Sequence, residues 1–351
     1  MLIREGKLKF LIERGVFYNP RMKYNRDLTC LVVKVLGEKI KFLDLLAASG
    51  VKGLRIAKEV GIEVCLNDIN KKAYELIKKN AKINNLNVEV ENLDANFLLN
   101  VKKGKFNFID IDPFGTPVPF LDNAIMHLKE GYLGVTATDT ATLCGVYPTV
   151  CYRRYGAIPI KTEFCHEIGL RILIGYIART AAKYNKGIKC LLSYSMEHYF
   201  RAFVEIVKGK KKAEESLKEL GYLYYCKSCM NRKWEKTPFM HDRKCECGDK
   251  FLVSGPVWLG NIKSDELCKK IFKIENEKTI KRILEEPHVP FYFDIPKICK
   301  KLKSPVPKFD KIIAELKKRG YKASRTHFSL KGIKTDASIE ELRLVLHAIL
   351  T

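Results

Sequence analysis

The sequence predicts an α/β protein: a mostly parallel sheet covered by helices on both faces, followed by a smaller α+β region. Three observations carry this. From residue 40 onward, short apolar runs alternate with segments whose apolar residues recur at three- and four-residue spacing. Acidic residues and glycines stand where the apolar runs end. Past residue 208 the alternation stops and a cysteine-dense segment begins.

In chain order, strands are expected over 40–47, 63–68, 88–93, 106–112 and 132–139, with helices over 51–60, 71–84 and 118–129 between them. Such alternation builds a parallel sheet buried on both faces. A longer helical pattern, 164–183, leads to two more strands, 187–195 and 200–208, making seven in a mixed sheet. The run Lys208-Gly209-Lys210-Lys211-Lys212 reads as a solvated boundary, so 1–207 and 208–351 are expected to be two domains. Within the second, 222–254 reads as a cysteine ribbon. Residues 256–351 read as short helices broken at prolines and ending in the basic stretch 317–334.

The hydrophobic share of 46% is that of a chain with a proper core. Sixty-four Lys and Arg against forty Asp and Glu leave a net charge of +24, which favours a polyanionic partner. No run of about eighteen apolar residues exists, and residues 1–10 alternate charge with apolar side chains, unlike a signal peptide. A cytoplasmic protein without a membrane partner is expected. Eight of the twelve cysteines are scattered singly and read as reduced core thiols. The chain has no glutamine and abundant Lys and Glu, a thermophile signature that biased genomic composition also produces.

The chemistry concentrates at strand ends. Asp44-Leu45-Leu46-Ala47-Ala48-Ser49-Gly50-Val51-Lys52-Gly53 joins the first strand to its helix, and its glycines let backbone approach a ligand beside a helix N-terminus. Asp68, Asp94 and Asp112 then close the next three strands, whose carboxyl ends share one crevice in an open parallel sheet. Asp68 can accept two ribose hydroxyls and Asp94 can meet an adenine amine. Each residue alone is also an ordinary helix cap or turn residue. The fourth strand ends in Asp110-Ile111-Asp112-Pro113-Phe114-Gly115. An acid-Pro-aromatic turn there suits an amine acceptor. A carboxylate and a carbonyl that take the two hydrogens of an exocyclic amine localise its lone pair, and the ring can stack on the base. Together these residues favour a nucleoside cofactor, with S-adenosylmethionine the economical choice.

Taken together, the chain resembles the tRNA guanine-N2 dimethyltransferases that modify position 26. The matching residues are Phe17-Tyr18-Asn19-Pro20, Asn25-Arg26-Asp27, the run Ser49 to Arg55, Asn67-Asp68, Leu93-Asp94-Ala95, the run Asp110 to Pro117, Thr136-Ala137-Thr138-Asp139 and Arg325-Thr326-His327-Phe328. They span most of the chain in one order. The resemblance implies a Rossmann-like class I methyltransferase domain whose last two strands form a closing hairpin. It implies a cofactor site of Arg26, Asp44, Gly50, Arg55, Asp68, Asp94 and Ala95, with both arginines near the methionine carboxylate. It also implies that Asp112 and Pro113 hold the guanine amine while Phe17 and Phe114 flank an extruded base. Lys52 stands where arginine is common. For Phe17 a core role is the alternative. Rival functions are amino-methylation of DNA adenine or ribosomal RNA, and tRNA binding without catalysis.

Cys226-Lys227-Ser228-Cys229 and Cys245-Glu246-Cys247-Gly248 form a four-thiolate pattern for structural zinc. The second pair is one residue tighter than usual, His241 is a spare ligand, and a disulfide is the alternative. Arg325, His327 and Lys331 interleave with Tyr321 and Phe328, a pattern that suits an RNA backbone or a plain solvated face. No obligate protein partner is indicated, and oligomeric state is not legible.

Overall fold

A computed structural model describes residues 1–237 and 244–350. His241 lies outside the described residues. The chain opens with a hairpin, β1 (Leu2–Glu5) and β2 (Leu8–Leu11), followed by α1 (Lys23–Leu36). The expected alternation then appears as β3 (Lys41–Asp44), α2 (Val51–Glu59), β4 (Glu63–Asn67), α3 (Lys71–Ile83), β5 (Glu89–Glu91), α4 (Ala95–Val101), β6 (Phe108–Ile111), α5 (Val118–His127) and β7 (Gly131–Ala137). Two short helices, α6 (Thr140–Leu143) and α7 (Pro148–Tyr155), precede the long α8 (Cys165–Lys183), and the hairpin of β8 (Lys186–Met196) and β9 (Tyr199–Lys208) closes the sheet.

The seven strands lie in the order β5-β4-β3-β6-β7-β9-β8, parallel from β5 to β7, with β9 antiparallel to both its neighbours. From β3 the chain winds outward to β5 and then returns to β6 on the other side. The carboxyl ends of β3 and β6 therefore frame a switch-point crevice. Central strands are apolar on both faces, with Phe42, Leu43, Leu66, Phe108, Ile111, Leu133 and Val135 fully buried. The five parallel strands are shorter than the expected runs at their carboxyl ends. There the chain leaves the ladder and turns into the crevice.

The second half continues as α9 (Lys210–Lys218), then a three-stranded sheet β11-β10-β12 formed by β10 (Leu220–Tyr225), β11 (Arg232–Glu235) and β12 (Leu252–Trp258). Next come α10 (Asp265–Ile274) and α11 (Lys278–Glu285). A last sheet, β13-β15-β14, joins β13 (Phe293–Asp294), β14 (Ala323–Arg325) and β15 (Gly332–Thr335), and is accompanied by α12 (Ile295–Lys301), α13 (Phe309–Lys318) and α14 (Ile339–Leu350). The expected division at 207/208 falls at the last residue of β9, one step short of the turn into α9, and the apolar core runs across it. On one sheet face Ile109 and Leu133 share a cluster with Leu223, Trp258, Tyr292 and Leu346. On the other, Val32, Leu54 and Ile77 share one with Leu267, Ile271 and Ile283. Among the described residues no helix is long and apolar enough to cross a membrane.

Candidate active site

The crevice opens into a cavity of about 920 Å³ lined by the ends of β3, β4 and β6, the segment before α1 and the tip of the β8–β9 hairpin. Its floor is a buried charge network. Asp110, the last-but-one residue of β6, is fully buried and paired through one oxygen with Arg201 of β9 and through the other with Lys52 of α2, the latter at 2.5 Å. Lys52 Nζ also pairs with Asp112, whose second contact is Asn25 Nδ2 at 3.3 Å. Arg201 donates to Thr136 Oγ1 at 2.9 Å and to Thr29 Oγ1 at 3.2 Å. Gly134 is required beside this cluster, because a Cβ there would lie 2.3 Å from Asp110 Oδ1.

The network sets the protonation of its members. Burial would raise the Asp112 carboxyl, but Lys52 and Arg201 outweigh it and hold that carboxyl below its ordinary value. Asp44, also buried, is pushed up to about 7 by burial and by repulsion from Asp110 and Asp112, against the pull of Lys52. Asp112 is therefore a carboxylate at neutral pH, with 18% of its side chain exposed to the cavity. The loop after it is pinned from behind. Gly115 N donates to Thr138 Oγ1 at 2.7 Å, Thr138 N donates to Gly115 O at 2.8 Å, and Thr116 Oγ1 bonds the Tyr155 hydroxyl at 2.8 Å. Tyr155 in turn donates to Asp139 at 2.8 Å.

On the opposite wall Asp68 lines the cavity after β4. Its Oδ2 accepts from Ala48 N and its Oδ1 from Asn70 N, both at 2.8 Å, so this carboxylate holds the glycine turn in shape. Asp44 lines the cavity and accepts from Gly53 N at 3.0 Å. Gly50 adopts φ +76 at the start of α2, where a Cβ would strike Ile77 at 2.8 Å; it shapes the turn without lining the cavity. Arg26 lines the cavity, though its guanidinium also grips Glu5 at 2.6 and 2.7 Å.

Three residues named with the cofactor site lie elsewhere. Arg55 points away from the cavity onto Glu5, Asp27 and Glu59, because α2 turns that face toward α1 and the first hairpin. Asp94 is exposed and accepts from Phe97 N at 3.0 Å, the helix-cap role, and Ala95 is buried as the first residue of α4; neither lines the cavity. Phe17 and Phe114 both line it, 46% and 71% exposed, so Phe17 is not a core residue. Their rings meet edge to face with centroids 4.4 Å apart, and a base enters between them only after one ring turns aside. Pro113 lines the cavity between them and Asp112.

Sequence reasoning missed Arg201 and Asp110, and left Lys52 unassigned. The one available signal was Arg201 itself, a lone cation in the apolar run Tyr199-Phe200-Arg201-Ala202-Phe203-Val204.

Away from the cavity, the sulfur atoms of Cys226, Cys229, Cys245 and Cys247 all lie within 4.8 Å of one another, with Cys226–Cys247 at 3.5 Å and Cys229–Cys245 at 3.3 Å. Sulfurs on a tetrahedral zinc sit about 3.8 Å apart, given Zn–S bonds of about 2.3 Å. The donor set fits zinc, and none of the four is in a disulfide. The tight second pair closes without an extra residue, because Gly248 takes φ +93 and its N–H returns to Cys245 O at 2.8 Å.

Comparison with known proteins agrees with this geometry. The family model for N2,N2-dimethylguanosine tRNA methyltransferase matches residues 2–347. Relatives named tRNA (guanine(26)-N(2))-dimethyltransferase include those of Pyrococcus furiosus, 42% identical with 96% of each chain covered, and Archaeoglobus fulgidus, 39% identical with 99% of each covered. Trm1 from Pyrococcus horikoshii, solved with S-adenosyl-L-methionine, superposes with a TM-score of 0.91 at 39% identity, covering 98% of this chain and 99% of that one. With the switch-point cavity, the Asp-Pro-Phe loop and the four-cysteine ribbon in one continuous match, the chain belongs to the N2,N2-dimethylguanosine tRNA methyltransferase family.

Proposed function

We propose that the protein methylates the exocyclic N2 of guanosine 26 in tRNA, twice, on a base flipped into the 920 Å³ cavity. The observation that carries the reading is Asp112: an ionised carboxylate at the cavity floor, on a loop braced by Thr138 and Tyr155. When bound, S-adenosylmethionine supplies a sulfonium methyl, and Asp68, Asp44, Arg26 and the turn before α2 are the residues placed to hold it.

Guanine N2 is paired or stacked in folded tRNA, so it must leave the helix to react. Phe17 and Phe114 part to stack on the extruded base. Asp112 accepts one N2 hydrogen and the neighbouring Pro113 segment supplies the carbonyl for the other, which localises the lone pair for in-line attack. Once nitrogen carries the methyl it is strongly acidic, and the proton passes to Asp112 and on to water. After the first transfer N2 carries one hydrogen and one methyl, so in the second transfer Asp112 accepts the remaining hydrogen while the methyl takes the place of the other. Residues 208–351 supply further RNA contacts, the ribbon at 222–254 holds one structural zinc, and the protein works in the cytoplasm on tRNA.

Labelled S-adenosylmethionine with unmodified tRNA, followed by nuclease mapping, tests this. Label in N2,N2-dimethylguanosine at position 26 is expected. Label in another base, or tRNA binding without label, would replace the reading with one of its rivals. Elemental analysis of freshly reduced protein should return about one zinc per chain, lost in Cys226→Ser.

A further inference from the structure

Behind the tip of the β8–β9 hairpin lies a second cavity, of about 340 Å³. Glu197, at that tip, lines both cavities, so a single turn of backbone separates the second from the base pocket. Its walls come from both halves of the chain: His166 and Ser195 from the first, Thr279, Arg282 and His327 from the second.

One of these groups, Arg282, is held ready for something the protein does not supply. Arg282 is half-buried and makes no hydrogen bond or ion pair among the described residues. The His327 side chain is 1% exposed, and its Nδ1 lies 2.7 Å from Glu286 Oε1. Burial would raise the Glu286 carboxyl, but His327 and Lys334 hold it well below the usual carboxylate range, so Nδ1 is the donor. Nε2 is then left buried with no partner. Fully buried, that nitrogen lies behind the cavity wall, and Arg282 is the cation that the cavity presents.

The lining offers a guanidinium and two hydroxyls against one exposed carboxylate, Glu197. That composition selects an anion. A flipped nucleotide swings about its flanking phosphodiesters, so those phosphates stay at the rim of the base pocket, where this cavity lies. We propose that the second cavity seats a backbone phosphate of the RNA strand beside the extruded guanosine, with Arg282 supplying the charge. The proposal rests on the tRNA-methylation reading.

The test uses full-length protein and unmodified tRNA. Arg282→Ala should raise KM for tRNA about tenfold, the scale of one lost charged hydrogen bond, and flatten the log–log salt dependence of binding by about 0.7–0.9. Affinity for S-adenosylmethionine should hold, and Arg282→Lys should restore the slope. In a second arm, tRNAs carrying one uncharged methylphosphonate linkage are scanned around the target. One linkage next to position 26 should weaken binding to wild type and have no further effect on Arg282→Ala. Wild-type KM and slope in Arg282→Ala, as a cavity serving a free anion would give, overturns the proposal, and so does a sensitive linkage only far from the target. A wild-type enzyme that leaves tRNA unlabelled instead fails the methylation reading, so the two failures are separable.

Discussion

Two buried charge networks lie in this fold, and their difference separates scaffold from site. The first joins Lys52 and Arg201 to Asp44, Asp110 and Asp112 under the cavity. The second joins Arg171, Lys334 and His327 to Glu167 and Glu286 where α8 meets the C-terminal half. In the second, donors fill the carboxylates: Glu167 takes Arg171 at 2.9 Å, Lys334 at 3.0 Å, Phe291 N at 2.8 Å and Tyr292 N at 3.2 Å. Apart from the Arg171–Glu167 pair within α8, these contacts tie the helix to the C-terminal half. The first has three carboxylates against two cations, and two of the three, Asp44 and Asp112, line the cavity. A network left short of positive charge and open on one side is suited to a cationic cofactor and an amine. Closure marks the scaffold, and imbalance marks the site.

Removing a carboxylate from each is the direct way to break this contrast. Glu167→Ala leaves Arg171 and Lys334 facing each other in a dry interior and should lower stability by about 3–5 kcal/mol in denaturant unfolding. A loss below about 1 kcal/mol would mean that the interface is not held through this residue. Asp112→Ala should instead keep the fold and cofactor affinity while lowering kcat by about 10²–10³, the scale for losing one group that stabilises a developing charge. Near wild-type turnover would remove Asp112 from the chemistry. Asp68→Ala sharpens the same picture at the other wall: calorimetric titration should show S-adenosylmethionine binding weakened by roughly 1.5–3 kcal/mol. Unchanged affinity would leave Asp68 only its structural bonds to Ala48 and Asn70.

The sheet and the crevice were legible because they rest on local pattern. Apolar runs such as Phe106-Asn107-Phe108-Ile109 and the acids after them announce strands and strand ends within a few residues. Seven strands in the expected chain order followed, with ends trimmed where the chain turns into the site. The first hairpin escaped notice because strands of four residues with alternating charge carry little apolar signal. Arg201 escaped for another reason: its bond to Asp110 spans 91 positions and exists only because β7 separates their strands by one register-fixed step. Asp68 and Asp94 looked equivalent in sequence. Only the direction of each strand end decides that Asp68 faces the cavity while Asp94 caps a helix.

The last expected effect concerns how the two networks answer to pH, and it discriminates between them by sign. Asp44 is pushed up to about 7 in the fold, against about 3.9 for a free Asp. Between those values the native chain keeps a proton that the unfolded chain has lost. Its contribution to stability is therefore fully present below about pH 3.9 and lost as pH rises toward 7. Glu286 is shifted the opposite way, so its contribution is present above the ordinary Glu value of about 4.3 and is lost only on acidification below it. Asn at position 44 still offers an oxygen to the Gly53 N–H but carries no titrating proton. Relative to wild type, Asp44→Asn should thus gain stability from pH 4 to pH 7, by up to about 3 kcal/mol for a shift of about three pH units. Glu286→Gln should show a constant deficit from pH 5 to pH 8. Unfolding free energies at several pH values read both trends. If Asp44→Asn instead tracks wild type across pH 4–7, the carboxyl of Asp44 is ionised throughout. The first network would then be more negative than its burial allows without a bound cation.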